Sequence, residues 1–173
     1  MNFDLTSEQK EIQKAADDFA KGEFDKEVIL DLERNHQYPF VYLKKAAPLG
    51  FIGIHYPEAY GGQGYGILEN ALIVEAFCRR DSGVGICLSI ANFSSEIILR
   101  FGNDAQKKKY LPDIASGKKL VAFGLTEANA GSDAGGVQTT AKLVGNEYLL
   151  NGTKQWITNG GEAEIYTVIA ITD

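Results

Sequence analysis

Apolar positions recur at helical spacing through the first two-thirds of the chain and at strand spacing after it. Thr6 with Gln9 forms a capping box, and Ile12, Ala16 and Phe19 then fall on one stripe, so the first helix begins at Thr6 and breaks or ends near Gly22. Pro39 suits a first helical turn ahead of Phe40, Leu43 and Ala47, with Pro48-Leu-Gly50 as the stop. Residues 56–66 hold too much glycine for a helix and read as an extended loop. Leu68, Ala71, Leu72, Glu75 and Cys78 restore helical spacing over 68–80. A long apolar helix is predicted from Ser82 or Gly83 to Arg100, ended by Gly102. Asn103 or Asp104 then caps a shorter helix through Tyr110 that Pro112 limits.

The pattern changes near Lys118. Runs at 121–125, 139–144, 147–151, around Trp156 and at 165–171 are β-branched or aromatic and are separated by Gly and Asn. Gly145-Asn146 between two such runs signals a tight hairpin. The predicted fold class is α+β: an all-helical domain over 1–118, then an antiparallel β domain over 119–173.

Composition narrows the partners. With 173 residues, 45% hydrophobic and net charge −6, the chain can bury a core but lacks the clustered basic face that nucleic acid demands. Lys107-Lys108-Lys109 reads as a solvated helix face. Cys78 and Cys87 lie among apolar residues without a CxxC, so two reduced, buried thiols in a cytoplasmic protein are expected. No apolar run reaches the ~20 residues of a membrane span, and a start at Asn2-Phe3-Asp4 reads as lacking a targeting peptide.

Familiar site chemistries fail one by one. A G-x-G-x-x-G reading of the 61–66 glycines needs a third glycine where Ile67 stands, and the segment does not follow a strand. His36 and His55 have no soft ligand at metal spacing, and each reads as a surface or packed residue. Ser132 follows Gly131 directly, so it sits in no G-x-S-x-G elbow. What remains is a strand, 120–125, that breaks into a loop rich in hydroxyls and bare backbone, Thr126-Glu-Ala-Asn-Ala-Gly-Ser-Asp133. Such a loop offers donors to an anionic or polar ligand.

Gly124-Leu-Thr-Glu-Ala-Asn-Ala-Gly-Ser-Asp133 and Lys154-Gln-Trp-Ile-Thr-Asn-Gly160 resemble the two flavin-binding motifs of the acyl-CoA dehydrogenases. Gln106-Lys-Lys-Lys-Tyr-Leu-Pro112, Tyr56-Pro-Glu with Tyr60-Gly-Gly62, and Asp4-Leu-Thr-Ser-Glu-Gln9 resemble further landmarks of that family, in order from residue 2 to 173. One departure is Ala128, where many relatives carry Pro.

The resemblance implies α,β-dehydrogenation of an acyl-CoA thioester. A carboxylate takes the α-proton while the β-hydrogen leaves as hydride to N5 of FAD, and electrons pass on to an electron-transferring flavoprotein. It implies that Phe123, Leu125 and Thr126 meet the flavin through backbone groups and the Thr126 hydroxyl, with Gly131 beside Ser132 at the cofactor. Ser132 aligns with the residue that touches both the pyrophosphate region and the pantetheine arm. Trp156 is expected against the isoalloxazine, with Ile157 and Thr158 alongside and Thr158 near N5. Gly85, Ile86 and Ser89 are expected at the acyl pocket; with no Arg or Lys among 85–93, a neutral acyl group is expected.

In that family a helical bundle follows the β domain and brings the catalytic base, so the chain reads as truncated before it, with the base beyond Asp173 and no turnover by these residues alone. The complete assembly is expected to be a homotetramer. Two other readings stay open: a flavin oxidase or monooxygenase on the same scaffold, and a non-catalytic relic.

Overall fold

The computed structural model describes residues 3–172; Asn2 and Asp173, on which the readings of the two chain ends rest, lie outside the described residues. The chain divides into two compact units, Met1–Lys119 and Leu120–Asp173.

The first unit is helical. α1 (Ser7–Glu23) opens on the capping box: the Gln9 amide donates to Thr6 Oγ1 at 3.1 Å and the Thr6 amide to Gln9 Oε1 at 3.0 Å. Its Ala16, Phe19 and Ala20 are buried. α2 (Lys26–Arg34) is an element that the apolar spacing does not predict; Asp25 caps it through the amides of Glu27 and Val28. α3 (Phe40–Ala46) passes into a short 3-10 turn, Ala47–Leu49, as the Pro39 and Pro48 signals required. α4 (Ile67–Arg80) carries Phe77, around which Phe19, Phe24 and Phe51 stand at ring distances of 5.5, 5.7 and 5.4 Å. Each buried ring contributes roughly 1.5–3 kcal/mol, and the edge-on approach of Phe51 to Phe77 adds to it. This cluster forms part of a core that extends to Leu43, Ile73, Leu88, Leu111 and Ile114.

The long helix expected from 82 to 100 is two. α5 (Ser82–Ser89) is capped by Asp81, whose Oδ1 accepts from the Val84 amide at 2.8 Å. α6 (Ser95–Phe101) follows a turn over 90–94. The reason lies in Asn92, a buried polar residue. Its side chain donates to the Ile52 carbonyl, and its own carbonyl accepts from both the amide and the hydroxyl of Ser95. Local polar side chains thus offer the backbone an alternative to helix, and apolar spacing cannot show it. The opposite correction applies to α7 (Asp104–Ala115), which contains Pro112 and does not stop there. Pro112 removes one helix bond and costs about 3 kcal/mol, but the turn it sits in buries Leu111, Ile114 and Ala115.

The glycine-rich segment wraps Tyr56, which is fully buried and donates its hydroxyl to Ser95. Burial pushes that hydroxyl's pKa well up. A 3-10 turn, Glu58–Tyr60, interrupts the loop, so it is not extended throughout. A Cβ on Gly62 would lie 2.1 Å from the Tyr56 carbonyl oxygen. The glycines are a packing device.

The second unit holds β1 (Val121–Gly124), β2 (Thr140–Val144), β3 (Glu147–Asn151) and β4 (Ile165–Val168). β2 and β3 form the expected antiparallel hairpin, with Gly145 at φ 64° in its turn. β1 pairs with β4 in parallel, Val121 opposite Ile165 and Gly124 opposite Val168. The expected antiparallel pairing holds for β2 and β3 but not for β1 and β4, where the 40 residues from 125 to 164 are long enough for a crossover. A further bridge, Thr140 to Ile171, ties the end of the chain to β2. No strand forms at Trp156.

Two alanine substitutions should move stability in opposite directions. Gly62→Ala must push aside backbone and is expected to destabilise the helical unit by about 1–3 kcal/mol. Gly22→Ala, on α1 with nothing within 4 Å of its added carbon, is expected to stabilise it by up to about 1 kcal/mol. Urea unfolding followed by far-ultraviolet circular dichroism gives both values.

Candidate functional site

The first motif turns immediately after β1. Glu127 and Ala130 exchange backbone hydrogen bonds, both 3.1 Å, leaving Ala128 and Asn129 at an exposed tip. Position 128 therefore sits in a two-residue turn that is closed without Pro. Gly131, Ser132 and Asp133 follow, all exposed.

The second motif comes back beside the first. The Gln155 amide donates to the Thr126 carbonyl at 2.8 Å, and Lys154 Nζ to the Leu125 carbonyl at 2.9 Å. Asn159 Nδ2 donates to the Val121 carbonyl at 3.0 Å. Between these anchors the backbone is forced out of its ordinary range. Trp156 has φ 59° and Asn159 has φ 62°. The left-handed conformation costs a bulky L-residue on the order of 1–2 kcal/mol, and Trp156 does not recover this by burial, since it is 88% exposed.

Glu127 joins the two motifs electrostatically. Its Oε1 accepts from Lys154 Nζ at 2.7 Å, from the Thr139 amide at 2.9 Å and from the Thr139 hydroxyl at 2.5 Å. Its Oε2 accepts from the Gln138 amide at 2.7 Å. Both side chains of the ion pair are about nine-tenths covered. The Lys154 ammonium, then the Thr139 hydroxyl and the Gln138 amide, hold the carboxyl far below its usual range, down to about 2. Glu127 is thus ionised and engaged at every working pH, which disqualifies it as a general base.

Phe123 is half-buried on β1, and Leu125 and Thr126 are half-buried just after it. Ser132 and Thr158 are exposed, and Ile157 is half-buried. Among the described residues, the side chains of Thr126, Ser132, Trp156 and Thr158 take part in no hydrogen bond. Thr126 and the 154–158 segment are held together by the Gln155 bond, whereas Ser132 lies past the turn.

Gly85, Ile86 and Ser89 belong to the other unit, on α5. Gly85 faces α4, where an added Cβ would come within 2.6 Å of the Cys78 amide nitrogen. Ile86 is 49% exposed, and the Ser89 hydroxyl is turned to the Ile86 carbonyl at 2.9 Å. Gly85 therefore serves helix packing, and Ile86 is the member of the set that presents apolar surface.

His36 is exposed, while His55 packs edge-on against Tyr56 with Nε2 at 2.7 Å from Glu96 Oε1, an approach not aligned as a hydrogen bond. Cys78 and Cys87 are free and half-buried rather than fully buried, with burial raising both thiols. Among the described residues no group of three or more His, Cys, Asp or Glu is placed to hold a metal, and no helix is long and apolar enough to cross a membrane. The sequence reading assigns no role to Glu127 or Lys154. Their signal is an acid in one motif and a base in the other, one residue past Thr126 and two before Trp156.

The domain described as "Acyl-CoA dehydrogenase, N-terminal domain" matches residues 6–118, and "Acyl-CoA dehydrogenase, middle domain" matches 122–173. The chain belongs to the acyl-CoA dehydrogenase family. An acyl-CoA dehydrogenase of Bacillus subtilis is 42% identical over 97% of this chain and 44% of its own length. The butyryl-CoA dehydrogenase structure from Megasphaera elsdenii superimposes with a TM-score of 0.89 at 40% identity, over 100% of this chain and 46% of that one. An acyl-CoA dehydrogenase from Bacillus anthracis, solved complexed with FAD, superimposes with a TM-score of 0.87 at 43% identity, over 98% and 30%. The chain spans less than half the length of these relatives.

The ion pair sets an acid limit for the site. Glu127's pKa is depressed from 4.5 to about 2, so its contribution is complete above pH 4.5 and is lost as pH falls through 2. The indole N–H resonance of Trp156, the sole tryptophan, should hold its position from neutral pH to about 4 and move between about 4 and 2. In Glu127→Gln that movement should vanish. A midpoint above 5 in the parent would contradict the assignment.

Proposed function

We propose that this chain forms the flavin-holding part of an FAD-dependent acyl-CoA dehydrogenase, with 1–118 as its amino-terminal helical domain and 119–173 as the first part of its middle β domain. The observation that carries the reading is Trp156: a large flat side chain held at positive φ, 88% exposed, with no hydrogen-bond partner among the described residues. A β-core tryptophan would be buried, and strain of this kind gathers at ligand sites.

The residues around Trp156 fit an isoalloxazine. Trp156 offers the stacking face, and Thr126 and Thr158 offer hydroxyls without partners among the described residues. The Phe123, Leu125 and Thr126 backbone is held in line by β1 and the second motif. Gly131 and Ser132 offer exposed backbone and a hydroxyl to the pyrophosphate region, and Ser132 to the pantetheine arm; Ile157 completes the apolar surround. FAD supplies the hydride acceptor when bound. The chain's own residues orient it and the thioester; none of those named can take the α-proton. The motif resemblance supports a base supplied from outside these residues, so they are not expected to turn over alone.

The substrate is a neutral acyl-CoA, a reading supported by apolar Ile86 on α5 and by the absence of Arg or Lys among 85–93. Transfer of electrons to an electron-transferring flavoprotein and assembly into a homotetramer rest on the motif resemblance. Placement in the cytoplasm rests on the two free thiols.

Titration of the chain with FAD, and with lumiflavin as the bare ring, tests the cofactor reading. Both should quench Trp156 emission, and Trp156→Ala, followed through lumiflavin's own fluorescence, should weaken lumiflavin binding about tenfold. Absence of quenching by either flavin would overturn the proposal.

A further inference from the structure

We infer that Glu127 and Lys154 are positioning residues whose ion pair sets the angle at which the 154–158 segment presents Trp156 beside Thr126. The flavin side of this inference rests on the function proposed above; the geometric side does not.

Three observations carry it. Lys154 reaches the first motif twice, at the Leu125 carbonyl and at Glu127, and both contacts fall next to Thr126 in sequence. Glu127 is in turn held by the amides of Gln138 and Thr139 at the entrance to β2, so the lysine is anchored to a carboxylate with its own backbone partners. Trp156, two residues from Lys154, keeps a left-handed backbone that would relax if either flank were released; its downstream flank is tied by Asn159 to β1. A side chain this exposed has no core packing to orient it. Its direction comes from its flanks; upstream the Gln155 amide fixes the backbone to the Thr126 carbonyl, and Lys154 adds the side-chain anchor.

A covered ion pair also has a purely structural reading: each charge is there only to satisfy the other. The two readings separate in the double variant Glu127→Gln with Lys154→Met. Removing both charges relieves the unpaired charge that either single change leaves, so stability should recover relative to the singles. The positioning contact stays broken.

The experiment uses the 173-residue chain, with the Trp156 indole N–H cross-peak and the lumiflavin affinity as readouts. Lys154→Met, Glu127→Gln and the double variant should each shift or broaden the indole peak and weaken lumiflavin binding about tenfold. Lys154→Arg, which keeps the positive charge and several N–H donors, should keep the peak position and bind closer to the parent than Lys154→Met does. A double variant that regains the parent's peak and affinity along with its stability would overturn the inference. So would singles that unfold nothing and leave the peak unmoved. If the parent takes up no lumiflavin at all, the proposed function fails, and the indole peak alone decides the positioning claim.

Discussion

One carboxylate gathers the second unit's functional loops. Glu127 accepts from the start of β2 through Gln138 and Thr139, and from the second motif through Lys154, while its own backbone closes the turn of the first motif with Ala130. Four hydrogen bonds on one ionised group, all near ideal length, hold three segments that are far apart in sequence. A carboxylate suits this because it accepts from several directions at once and is strengthened by the ammonium beside it. The consequence is a pair of motifs held at one spacing, with the Trp156 side chain standing out from the second into solvent.

The helical unit is organised by a different means. Phe19, Phe24, Phe51 and Phe77 make an apolar centre, and the buried polar residues Asn92, Ser95 and Tyr56 bond to one another or to backbone around it. Those bonds decide where α5 ends and α6 begins. Placing Ile86 on a short, capped helix with Gly85 turned into α4 leaves one apolar side chain exposed on α5.

Much of this was legible in the residues. The Thr6–Gln9 box, the Gly145 hairpin, the α-then-β order and the motif resemblance depend on local chemistry or on spacing. What was hidden depends on long-range partners. The break at 90–94 follows from Ile52, some 40 residues before Asn92. The run through Pro112 follows from what Leu111 and Ile114 bury. The parallel pairing of β1 with β4 spans a crossover that strand propensity does not see. The roles of Glu127 and Lys154 were hidden for the same reason, since 27 residues separate them. Trp156 showed the opposite difficulty: its type suggested a strand, and its exposure is visible only in three dimensions.

The most direct test of the account is amide hydrogen exchange in Lys154→Met. If Glu127 couples the segments, loss of the lysine should speed exchange at Gln155, Gln138 and Thr139 together, while the Ile165 amide, bonded to the Leu120 carbonyl, keeps the parent's protection. Acceleration confined to Gln155, or absent from all three, would show that the motifs hold their places without the ion pair.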